Sequence, residues 1–143
     1  MYEPIRSKSV HSTMAGAASS DFPHRSREEE LDIQLAGHLA ALLAVTDELR
    51  GLTPSADLDS AAERLAAQVA RLRGGRPPLR ATASATGDPA ALHRRAHTLA
   101  GRALVVAASR ADTAVAILTA GRMDAHAAAI TPSADADRRC VAP

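Results

Sequence analysis

The stretch DPAALHRRAHTLAGRALVVAASRADTAVAILTAG, residues 88–121, decides the fold. Asp88 and Pro89 place a capping carboxylate before a proline at the first helical position. Leu92, Ala96, Leu99, Ala103, Ala107, Ala111, Ala114 and Leu118 then recur at helical spacing, with no proline until Pro132. The pattern predicts one helix over residues 88–121 or longer, with Gly121 as its earliest stop. Such a helix spans roughly 50 Å.

Two shorter helices precede it. Ser26 and Glu29 form a capping box, and Leu31, Leu35, His38, Leu42, Val45 and Leu49 step by four and three, so a helix is predicted over residues 26–50 with Gly51 just past its end. Thr53 and Pro54 give a cap and a first helical position for a second helix over residues 54–73, striped by Leu58, Ala62, Leu65, Val69 and Leu72 and stopped at Gly74 and Gly75. Their lengths are roughly 36 and 27 Å, so half of the third helix lacks a partner. A bend near Ser109 and Arg110 would fold that half back as a fourth helix. A homodimer through the second half of the third helix would instead cover Val105, Val106, Val115, Ile117 and Leu118, and this is the expectation.

The fold class is therefore all-α, a small antiparallel helical bundle over residues 26–130 with disordered tails at 1–25 and 131–143. Composition agrees: of 143 residues 46% are hydrophobic but 1% aromatic, and Ala, Leu and Val carry that total without the β-branched alternation of a sandwich or barrel. The most apolar run, Ala103 to Ala120, is interrupted by Arg110 and Asp112, so no membrane span is expected. The segment around Ser9 to Ala17 is too polar for a secretory core, and the lone Cys140 has no partner for an intramolecular disulfide. A cytoplasmic location is expected.

The formal net charge of +1 conceals a division. Residues 28–59 carry a balance of −7, with Arg50 the lone cation, whereas residues 60–102 carry +6. Arg71, Arg73, Arg76, Arg80, Arg94, Arg95 and Arg102 form a candidate surface for an acidic protein partner, or else complement the acidic helix inside the bundle. Nucleic acid is not the expected partner, because aromatic side chains for stacking are nearly absent and the loop of residues 74–87 is too long for a helix-turn-helix.

Six histidines are present. His11, His24 and His126 fall in or near the frayed ends and are expected to be solvated. His38 lies on the core stripe of the first helix and is expected to be packed and neutral. His93 and His97 are four apart on one helical face, so with His38 they are the candidate ligands for a metal ion, although no His-Glu-x-x-His pattern accompanies them.

His97 also has a second context. Ala96, His97, Leu99 and Gly101, with Ala107 six positions later, make residues 87–107 resemble the phosphoacceptor helix of histidine-containing phosphotransfer domains. The resemblance implies a four-helix bundle in which His97 is the phosphoacceptor and receiver proteins are the partners, with no active site in the domain itself. The lysine that the family places beside the histidine is Ala100 here, leaving Arg102 or Arg94 to counter phosphate charge. No glycine-rich phosphate loop and no base-partnered serine is found. The expectation is a non-enzymatic interaction or regulatory module without a cofactor.

Overall fold

The computed structural model describes residues 25–81 and 86–131. Of the tails expected at 1–25 and 131–143, residues 1–24 and 132–143 lie outside the described residues. The chain divides into a unit up to Glu30 and a unit from Leu31 onward. In the first, Ser26 caps the opening helix by accepting from the Glu29 N–H through Oγ at 3.1 Å, as the capping box predicts, and Arg25 pairs with Glu30 at 3.6 Å.

Among the described residues there are four helices: α1 (Arg27–Leu52), α2 (Ala56–Leu72), α3 (Pro89–Arg110) and α4 (Thr113–Ile130). The all-α bundle is as the periodicity predicts. Its core joins Leu35, Leu39, Leu42 and Leu49 of α1, Leu58, Leu65 and Val69 of α2, Ala96, Leu99, Ala103 and Ala107 of α3, and Val115 and Leu118 of α4. Without aromatic side chains, tight packing rests on alanines that let helix backbones approach closely.

The single helix predicted over 88–121 is two helices, and the reversal is sharp. Ala111 adopts φ 56 and ψ 35, the left-handed region. The Asp112 N–H donates to the Ala107 carbonyl at 2.9 Å and the Ala111 N–H to the Ala108 carbonyl at 3.1 Å. These two bonds make a Schellman ending, with alanine at the position where glycine usually sits. Asp112 then caps α4, accepting from the Val115 N–H at 3.2 Å, and takes an ion pair from Arg71 at 2.6 Å. Arg110, just before the turn, pairs with Asp32 of α1 at 3.1 Å. Val115 and Leu118, expected to await a second subunit, are buried in the chain's own core. Val105 and Ile117 stay 67% and 64% exposed.

Other boundaries also move. Gly121 lies inside α4, and Gly51 lies inside the last turn of α1. The cap of α2 is Ser55, which accepts from the Leu58 N–H, because the Thr53 hydroxyl donates instead to the Leu49 carbonyl at the end of α1. Gly74 and Gly75 do end α2 as predicted, at φ 69 and 92, with the Gly75 N–H donating to the Ala70 carbonyl at 2.7 Å.

A left-handed alanine is disfavoured by about 1 to 2 kcal/mol relative to glycine, partly offset by the greater freedom of glycine in the unfolded chain. Ala111→Gly is therefore expected to stabilise the protein by about 0.5 to 1 kcal/mol, read as a rise in the midpoint of urea unfolding at constant slope.

Candidate functional site

The arginines divide by what they meet. Asp47, only 5% exposed, is held on α1 by Arg80, which donates through Nε at 2.9 Å and Nη2 at 2.7 Å, and by Arg50 at 3.1 Å. Arg50 also reaches Asp59 of α2 at 2.8 Å. Burial alone would push the Asp47 carboxyl up, but the hydrogen bonds from Arg80 and then Arg50 outweigh it and hold the group below its ordinary value. Arg71 is likewise taken by Asp112. Arg80 and Arg71 thus complement acidic side chains of the bundle, and Arg76 donates to the Arg73 carbonyl at 3.2 Å. Arg94, Arg95 and Arg102 differ: all three are exposed on α3 and make no ion pair or side-chain hydrogen bond among the described residues. No acidic residue lies in α3 itself.

The histidines are rearranged relative to expectation. His38 is half-buried at the edge of its stripe, not in the core. His126, expected to be solvated, is fully buried. Its Nδ1 lies 2.9 Å from Nδ1 of His93, and its Nε2 lies 3.4 Å from Nη2 of Arg122. Arg122, 6% exposed, continues to Asp57 of α2 at 3.0 Å, while its Nε is buried without a partner among the described residues. A chain of four polar side chains thus runs Asp57, Arg122, His126, His93 across α2, α4 and α3.

Burial, then the Arg122 cation, pushes both imidazoles down: His93 lies below its ordinary value, and His126 falls from 6.5 to about 4. His93 adds to the depression of His126, Asp57 opposes it, and His97 is a smaller contributor. His93, His97 and His38 are not assembled as ligands: among the described residues no three His, Cys, Asp or Glu side chains come together as a metal ion would require. A signal for His126 was present in the sequence. Counted from an α4 that begins at Thr113, Val115, Leu118, Thr119, Arg122 and His126 form one helical stripe, and all five are buried.

His97 is half-buried on α3, and Gly101 one turn on faces α4: a Cβ built at Gly101 would meet Cε of Met123 at 3.5 Å. The space beside that glycine is thus occupied by the chain's own methionine. A groove of about 300 Å³ lies at the α3–α4 reversal, lined by Ala107, Ala108, Ala111, Ala116, Ile117 and Ala120 together with Asp112 and Thr113. Among the described residues no helix is long and apolar enough to cross a membrane. Comparison with known proteins returns no matching family model, curated protein or solved structure.

Asp47→Asn removes the charge that two arginines share in a site nearly closed to water, and is expected to destabilise the protein by about 2 kcal/mol at pH 7. The depressed carboxyl contributes its stability above its ordinary value of 3.8 and loses it as pH falls below. Urea unfolding should show a wide gap between the two proteins at pH 7 and a narrower one at pH 3.

Proposed function

We propose that this chain is a non-enzymatic, cytoplasmic interaction module that docks an acidic protein segment on the outer face of α3. The observation that carries the proposal is the set of three exposed cations, Arg94, Arg95 and Arg102, without a partner among the described residues and on a helix without a carboxylate. Arg94, Thr98, Arg102 and the exposed Val105 fall within one quarter of the helix circumference, with Arg95 beside them, over about 16 Å of its length. A strip of that kind matches a partner helix that alternates carboxylates with an apolar side chain. Three cations on so short a strip, without aromatic side chains, favour protein over nucleic acid.

The homodimer expected from the sequence is an alternative association. It would rest on Val105, Ile117 and the alanine groove, since Val115 and Leu118 are spent in the core.

The test uses a synthetic amphipathic helical peptide rich in Glu and Leu, with a duplex DNA oligonucleotide as comparison. Titration by fluorescence anisotropy at low salt should give peptide affinity that weakens steadily with added NaCl. Replacing Arg94, Arg95 and Arg102 together by Glu should abolish it with little change in the unfolding midpoint, because exposed and unpaired side chains contribute little to stability. Stronger binding of the duplex than of the peptide, or unchanged peptide binding by the triple variant, overturns the assignment.

Phosphotransfer through His97 is a second reading, favoured by the four-helix count and by an imidazole that is half-exposed on α3. The phosphoryl group would sit near Arg94 and Arg102, and the partner would be a receiver domain. Incubation with a small-molecule phosphodonor and a promiscuous receiver domain is expected to give acid-labile label on the wild type and none on His97→Ala. Absence of label on the wild type removes this reading and leaves the docking proposal untouched.

A further inference from the structure

We propose that the His93–His126 pair is an acid-opened latch holding the C-terminal half of α4 against α3. The argument begins with which atoms carry hydrogens. A guanidinium can only donate, so Nε2 of His126, 3.4 Å from Arg122 Nη2, must accept. In a neutral imidazole the other nitrogen then carries the hydrogen, and His126 donates through Nδ1 to His93 Nδ1 at 2.9 Å. His93 in turn carries its own hydrogen on Nε2. Donation runs one way along the chain, from Arg122 to His126 to His93.

That order has no room for another proton. A proton on His93 turns its Nδ1 into a donor facing the donor on His126. If His126 switches tautomer to accept it, the hydrogen on Nε2 then faces Arg122. A proton added directly to His126 makes the same conflict and sets a second cation beside the guanidinium. Every protonated arrangement therefore leaves two donors opposed at a site where His126 is fully buried. The groups facing the pair are Arg122 from α4, His97 from α3 and Asp57 from α2, and the one carboxylate among them already pairs with Arg122 at 3.0 Å. Side-chain exposure of 67% leaves Asp57 too well solvated to stabilise an imidazolium beyond the guanidinium.

Relief comes from separation of α4 from α3 over the turns that carry Arg122 and His126. The folded pair binds protons less readily than the unfolded chain, so the open form takes up protons as pH falls from 6.5 to about 4 and gains population across that window. Below both values the difference is spent.

The experiment follows amide hydrogen exchange in residues 122–130 of the full chain from pH 7.5 to 4.5, corrected for intrinsic rates, with nitrogen-detected spectra of the imidazoles. The expected spectrum at pH 7 has His126 neutral with its hydrogen on Nδ1 and His93 neutral with its hydrogen on Nε2. Protection should fall by up to about tenfold per pH unit for each proton taken up. His93→Leu combined with His126→Leu should abolish that slope. His93→Gln keeps an acceptor for His126 but does not titrate, so its loss of protection should have a shallower slope, that of His126 alone. His126 as an imidazolium at pH 6, or the wild-type slope persisting in either variant, overturns the proposal.

Discussion

The reversal at Ala111 and Asp112 is the constraint from which the rest of the molecule follows. One alanine in the left-handed region ends α3, and one carboxylate caps α4 while accepting from Arg71 of α2. The strain of the alanine is offset by two backbone bonds, a cap and an ion pair, all formed within two residues. Because α4 folds back there, Val115 and Leu118 are enclosed by the same chain and His126 is carried onto α3. A continuous helix would leave these residues without a core.

The same reversal explains why a core built largely of Leu, Val and Ala contains a buried arginine and a buried histidine. Neither side chain is tolerated in such a place without partners. Each is given one by a different helix: Arg122 by Asp57 of α2, His126 by His93 of α3. The network joins three helices at one point, and the hydrogen bonds it does make, Arg122 Nε being left over, depend on every member remaining in one protonation state. Apolar packing alone would hold the helices with less directional preference.

How much of this could be read from residues alone depends on the range of the interaction involved. The stripes of α1 and α2 are local, and the glycine pair that ends α2 is local too, so both are legible. A bend near Ser109 and Arg110 is legible only as an alternative to the dimer, and its position at Ala111 is hidden because that residue type is the opposite of what the conformation favours and because the alanine stripe continues through it. Gly121 draws attention as a stop but sits exposed within α4, where nothing demands a special conformation. The misplaced helix start in turn shifts the register of His126 into an expected fray. Partition of the arginines was also hidden, since Arg80 finds Asp47 33 residues away and Arg71 finds Asp112 41 residues away.

What remains on α3 after those pairings is a separation of roles around one helix. Its inner face carries alanines and the histidine that meets α4, and its outer face carries three cations with no counter-charge among the described residues. Arg110 shows the contrast, since the same helix supplies it and Asp32 of α1 neutralises it. A net charge of +1 over the chain therefore describes the sum of two unlike regions. At physiological ionic strength charges are screened over about 8 Å, so the potential beside α3 is set by the local cations more than by the sum. The acidic side chains of the other helices keep the total near neutral, while α3 itself carries cations and no carboxylate.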